Sequence, residues 1–152
     1  MTTIVYDHKA RQIAVDSRLC AGDKIQSDDA QKWFIHDGAY WFASGSTIAY
    51  DFARSLFSEL KNQWKEYSDN DPSFGYFIAK DGDVWFLYYC SDGNYNMEKC
   101  THTDGCGSGH EYALAALDFG KTAKEAVEYA KTKDTHTGGE VHVFDVETMR
   151  FI

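Results

Sequence analysis

At 152 residues the chain is long enough for one domain with a substantial core. Its formal charge of −9 argues against nucleic acid or an anionic membrane surface as a partner. No apolar run approaches membrane-spanning length, and the N-terminus lacks a basic region followed by a long apolar stretch, so the expected setting is cytoplasmic. The cysteines (Cys20, Cys90, Cys100 and Cys106) form no Cys-x-x-Cys pair, and reduced thiols are expected. Cys100, His102 and Cys106 lack the ligand spacing of a zinc site, so no metal or cofactor is expected.

In chain order, residues 3–6 and 12–15 are short runs rich in β-formers, joined by the polar turn His8-Lys9-Ala10-Arg11. Residues 32–36 and 39–43 form a second expected pair, turned at Asp37-Gly38. A helix is predicted over 47–67, where Ile48, Phe52, Leu56, Leu60 and Trp64 build one apolar stripe. The polar stretch 68–73, with the sole proline Pro72, ends it. Strands 74–79 and 84–89 flank Lys80-Asp81-Gly82-Asp83, a strong hairpin signal, and Asp92-Gly93 turns the chain into a third short strand over 95–99. After Gly107-Ser108-Gly109, the residues Tyr112, Ala113, Ala116 and Leu117 mark a second helix that stops at Gly120. Thr122 and Glu125 form a capping box for a third helix reaching 131, and 141–144 and 149–152 finish as strands. This order predicts an α+β fold, helices outside two packed sheets, in a single domain over residues 1–152 with no linker or internal repeat.

Removal of Met1 would leave Thr2 with its hydroxyl and a free α-amine on one residue, a self-contained nucleophile and base. Threonine beside Met1 is small enough to favour that removal. The amine, with an unperturbed pKa near ~8, can take the Oγ proton directly or through a water. Downstream lie Asp16-Ser17-Arg18, Lys32, Gly107-Ser108-Gly109 and Asp134-Thr135-His136-Thr137-Gly138-Gly139.

In that order these segments resemble the proteasome β-subunit and HslV family of N-terminal-nucleophile peptidases. Thr2-Thr3-Ile4-Val5 is similar to the mature start of HslV, and the stretch from Ala14 to Gly22 resembles the proteasomal A-A-D-S-R-A-T-A-G. Ala43-Ser44-Gly45-Ser46 stands where the family carries A-G-G-A or A-G-G-T, and the run from Asp134 to Gly139 matches D-x-x-S-G-G with Thr137 in place of serine. The resemblance covers both ends of the chain and thins between about Asp69 and Cys100.

The resemblance implies a four-layer α/β/β/α sandwich and a threonine peptidase that cuts peptides or unfolded proteins through Thr2. Lys32 would lower the pKa of the Thr2 hydroxyl and amine, with Asp16 holding the lysine charged. Ser108, Asp134 and Thr137 would support the amine and a nearby water. Backbone at Ser44 and Gly45 would hold the oxyanion, Ser44 replacing the family's first glycine. Leu19, Ala30, Phe42 and Ser46 would line the first substrate pocket, suiting a hydrophobic side chain. Cys20 and Ala21 would offer backbone to an extended peptide.

A homo-oligomer is implied too, a ring being the family's form. The second helix that relatives carry before the middle strands has no room between Tyr67 and Phe74. That helix serves subunit and regulator contacts in the relatives, so the resemblance leaves an ATPase unfoldase partner open. The alternative is a non-catalytic assembly or binding module of the same fold. Against it stands the joint retention of Thr2, Asp16, Lys32, Ser108 and Asp134, which a scaffold has no reason to keep.

Overall fold

The computed structural model describes residues 2–45, 74–89 and 95–152. The helix expected over 47–67, Ser46, Pro72, Cys90 and the Asp92-Gly93 turn lie outside the described residues. Two five-stranded antiparallel sheets dominate the rest. The first is formed by β1 (Thr3–Asp7), β2 (Gln12–Val15), β10 (Asp104–Gly107), β11 (His142–Asp145) and β12 (Arg150–Phe151), in the order β10-β1-β2-β11-β12. The second is a meander of β5 (Trp33–His36), β6 (Ala39–Ser44), β7 (Phe74–Lys80), β8 (Asp83–Tyr89) and β9 (Tyr95–Lys99). A separate hairpin pairs β3 (Leu19–Ala21) with β4 (Lys24–Ser27). Two helices are described, α1 (His110–Asp118) and α2 (Ala123–Lys131).

The hairpins form where the turn chemistry asks for them. Asp37-Gly38 and Asp81-Gly82 each place two successive residues at positive φ (51° and 70°, then 52° and 80°). That is the primed turn whose twist suits paired strands, and glycine adopts it without steric cost. In the β1–β2 turn one Asp7 carboxylate oxygen accepts the amides of Lys9 and Ala10, each at 3.1 Å. At the start of α2 the Thr122 hydroxyl accepts the Glu125 amide while the Glu125 carboxylate accepts the Thr122 amide.

Strand alternation sorts β1 to two interiors. Ile4 and Tyr6 enter a core shared with Phe42, Phe77, Val84 and Phe144, which joins the two sheets face to face. Val5 faces the other way, onto Ala113, Ala116, Ala126, Val127 and Ala130 of the helices. Alanines at these contacts let the helices lie close on the sheet. The far face of the second sheet carries its own buried cluster, including Phe34, Trp41, Tyr76 and Leu87.

The expected strands at 3–6, 12–15, 74–79, 84–89 and 95–99 coincide with β1, β2, β7, β8 and β9 to within a residue. Three strands were not expected. The β3–β4 hairpin is largely solvated on both faces and so shows no alternation, and β10 is the glycine-bearing stretch Asp-Gly-Cys-Gly. Gly105 is required there because a Cβ would stand 2.9 Å from the Ile4 carbonyl oxygen. Cys100 and Cys106 are buried in the intersheet core, their thiols pushed up to about 12 by burial. His102 is largely exposed, and among the described residues no cluster could hold a metal ion.

Candidate functional site

The residues singled out in the sequence converge on one end of both sheets. Thr2 precedes β1, Asp16 follows β2, Gly107 ends β10, Lys32 precedes β5, and Ser44 ends β6. The register makes this one edge: Thr3 pairs with Gly107, Ile4 and His142 both pair with Val15, and Ser44 pairs with Gly75.

Asp16 is fully buried, and both its carboxylate oxygens are occupied. Oδ1 accepts the Thr3 amide at 2.9 Å and Lys32 Nζ at 2.8 Å. Oδ2 accepts the Gly138 amide at 3.0 Å and the Arg18 amide at 3.2 Å. Donors on every side replace the water that burial removes. Because one oxygen holds both groups, the Lys32 ammonium lies beside the peptide unit joining Thr2 to Thr3. Lys32 itself is 1% exposed, and burial pulls its pKa below the ordinary lysine value against the opposing charge and hydrogen bond of Asp16.

A second carboxylate organises the other side. Asp134 Oδ2 accepts the Ser108 hydroxyl at 2.6 Å and the Thr137 hydroxyl at 2.5 Å, and Oδ1 accepts the His136 amide at 3.2 Å. Burial pushes its pKa up, but these bonds outweigh that and hold it below the usual carboxylate range. Thr137 Oγ1 also lies 2.6 Å from Thr3 Oγ1, which accepts the Gly109 amide at 3.0 Å. An ionised carboxylate only accepts, so Thr137 must spend its proton on Asp134 and accept one from Thr3. The result is a directed chain from Gly109 N–H through Thr3 and Thr137 to Asp134. Ser108, its proton likewise committed, keeps lone pairs for another donor.

The loops that carry these groups are pinned by close approaches. Gly107 has φ 95°, and a Cβ there would overlap the Thr2 carbonyl. The Arg18 guanidinium meets both Asp28 oxygens, at 2.7 and 3.0 Å, and the Thr135 carbonyl at 3.2 Å. It fills the space where a side chain at Gly138 would go. The Ser17 hydroxyl stands 2.8 Å from the carbonyls of both Asp28 and Glu140, so the segments around 17, 28 and 138 are clamped together.

Thr2, Asp16, Lys32, Ser44 and Thr137 are all buried. Ser44 has ordinary β dihedrals, and the positive φ (124°) falls on Gly45 instead. The Ser44 hydroxyl donates to the Gly75 carbonyl at 3.2 Å and is hydrogen-bonded to the Cys106 thiol. Leu19, Cys20 and Ala30 are partly exposed, Ala21 is exposed, and Phe42 is fully buried between the sheets against Phe144. Thr3, Gly109 and Asp28 are the members that sequence reasoning passed over. The doubled hydroxyl of Thr2-Thr3 was a signal for Thr3, since adjacent strand residues face opposite ways. Nothing local announced Asp28.

Comparison with solved structures places the fold. A structure titled Thiobacillus denitrificans BPH in complex with Epoxomicin matches with a TM-score of 0.68 at 18% identity, over 94% of this chain and 97% of that one. HslV from Trypanosoma brucei matches with a TM-score of 0.60 at 19% identity, over 95% and 99%. The fold is that of HslV. No family model and no curated protein matches the sequence, so the HslV-like fold is carried by backbone similarity along nearly the full chain. At this edge of the fold the buried Asp16–Lys32 pair and the Asp134 cluster sit on either side of the chain's first strand.

Proposed function

We propose that the chain is a threonine peptidase whose nucleophile is Thr2, freed by removal of Met1. The observation that carries this is the single Asp16 oxygen shared by Lys32 Nζ and the Thr3 amide. It sets a buried cation one peptide unit from a threonine at the chain start. That charge lowers the pKa of the Thr2 hydroxyl and amine. The Thr2 oxygen attacks the scissile carbonyl as its proton passes to the α-amine, directly or through a water. The tetrahedral intermediate collapses, the leaving amine takes that proton, and an ester on Thr2 remains. Water, deprotonated by the same amine, then releases the acid. Ser108 accepts from the amine, and a backbone N–H at Ser44 or Gly45 faces the oxyanion. Leu19 and Ala30 line the substrate pocket with Ser46, and Cys20 and Ala21 pair with the peptide backbone, whereas Phe42, enclosed between the sheets against Phe144, is core and not pocket lining.

In the same proposal residues 1–152 form one domain, a four-layer α/β/β/α sandwich. The far face of the second sheet carries a buried apolar cluster of its own, which suits an inner layer of such a sandwich. The protein assembles as a homo-oligomer in the cytoplasm. The free thiols among the described cysteines suit that compartment, and none of the described helices is long and apolar enough to cross a membrane.

The test is the intact mass before and after treatment with an α′,β′-epoxyketone, which closes a morpholine ring only on a residue offering both hydroxyl and free amine. Loss of Met1 and one adduct on the wild type, with none on Thr2→Ala, is the expected result. Retained Met1 with no adduct, or full peptidase activity in Thr2→Ala, would overturn the proposal in favour of an assembly module.

A further inference from the structure

Thr3 stands between the two halves of the site. Its amide is held by Asp16, the carboxylate that holds Lys32, and its hydroxyl lies on the chain leading to Asp134. The hydroxyl is engaged in both roles, accepting the Gly109 amide at 3.0 Å and donating to Thr137 at 2.6 Å. Gly109 is the residue before α1 and the covalent neighbour of Ser108, and a Cβ on it would overlap the hydroxyls of both Thr3 and Thr137. The Gly109 amide is therefore an otherwise unpaired donor at a helix start, satisfied by a threonine more than a hundred residues earlier.

We propose that Thr3 is a positioning residue, whose hydroxyl registers the Ser108–Gly109 turn and Thr137 against the N-terminal nucleophile. The inference rests on the peptidase proposal above and adds a residue to its machinery. Thr3 spends both hydrogen-bonding capacities inside the protein and has 0% exposure, so it touches no substrate. What it fixes is the place of the turn: Asp134, which only accepts, sets the direction of the chain, and Thr3 ties the Gly109 amide, next to Ser108, onto that chain. Without it the Gly109 amide is orphaned in a buried site and the turn carrying Ser108 moves to find another acceptor. A shift of about 1 Å in such a group costs about 10²-fold in rate.

The experiment compares wild type, Thr3→Ser and Thr3→Val, each with Met1 removed and each studied well below its own melting temperature. Valine keeps the β-branched shape without the hydroxyl, and serine keeps the hydroxyl. The rate of epoxyketone adduct formation is resolved into reversible affinity and the covalent step. The expected result is a covalent step about 10²-fold slower in Thr3→Val with affinity unchanged, and near-wild-type behaviour in Thr3→Ser. Equal rates in all three, or Thr3→Ser as slow as Thr3→Val, would overturn the inference. Amide hydrogen exchange at Gly109 gives a readout independent of activity: protected in wild type and Thr3→Ser, fast in Thr3→Val. Continued protection in Thr3→Val overturns the inference even if the enzyme works. A wild type that takes no adduct overturns the peptidase proposal, and Gly109 exchange still decides whether Thr3 sets this turn.

Discussion

Lys32 carries its amino group into a site with almost no access to water, where Asp16 at 2.8 Å favours the charged form against the burial that lowers its pKa. The pair is asymmetric. Asp16 has three backbone amides besides the lysine, whereas the chief counter-charge of Lys32 is Asp16. Removing one partner of a buried pair typically costs about 3–5 kcal/mol, because the other is left uncompensated. For Lys32→Ala the three amides moderate that penalty, while the cavity left by the long stem adds to it. Lys32→Met separates the two effects, since methionine fills the stem's volume and lacks the charge. Both variants are expected to lose epoxyketone reactivity, with Lys32→Met the more stable in urea unfolding. Reactivity retained in Lys32→Met would remove the cation from the mechanism and leave Lys32 a packing residue. The sequence made the Asp16–Lys32 pair legible through local tags. It could not show that Thr3 belongs to the same site, because that needs residues 3, 109, 134 and 137 brought together by the fold.

At the scale of elements, what the site needs from β10 is closeness to β1, and the glycines supply it. Gly107 combines a positive φ with an approach to the Thr2 carbonyl that leaves no room for a methyl group. Gly22, in the β3–β4 turn, has a positive φ (58°) and open space around its Cβ position. The two therefore separate dihedral strain from collision. Gly22→Ala is expected to cost about 1–2 kcal/mol, the ordinary penalty of left-handed backbone. Gly107→Ala must in addition push the start of β1 away, so it is expected to cost clearly more and to abolish adduct formation. Denaturant midpoints and the adduct assay check both, and equal midpoints would mean that β10 does not hold β1 in place. Elements were legible where local chemistry dictates them: the Asp-Gly turns, including the one that joins β7 to β8, and the Thr122–Glu125 box. They were not legible where tertiary contact decides, as in β10, whose glycine content reads as loop until β1 is laid against it.

The whole molecule brings the two carboxylate systems to one edge by stacking two sheets, since Asp16 is carried by the first and Lys32 by the second. Strand order in the first sheet, β10-β1-β2-β11-β12, joins segments from both ends of the chain, which no local pattern encodes. The separation of the sheets is set by aromatic packing. The Phe144 ring lies 4.6 Å from Tyr40, 5.4 Å from Phe42 and 5.1 Å from Phe151, centroid to centroid, so it contacts both sheets at once. Phe144→Ala is expected to cost about 3–5 kcal/mol by lost burial and cavity formation. Its distinguishing effect lies elsewhere. As the sheets settle into the cavity, the Asp16–Lys32 contact is strained, so adduct formation slows even at temperatures where the variant is fully folded. Val127→Ala is the control, because Val127 is as deeply buried but lies between helix and sheet, away from the spacing of the two sheets. It is expected to lose about 1.5–3 kcal/mol of stability while keeping the wild-type adduct rate. If both variants slow in proportion to their loss of stability, the site depends on global rigidity. If Phe144→Ala alone slows, the distance between the sheets is what sets the position of the cation beside Thr2.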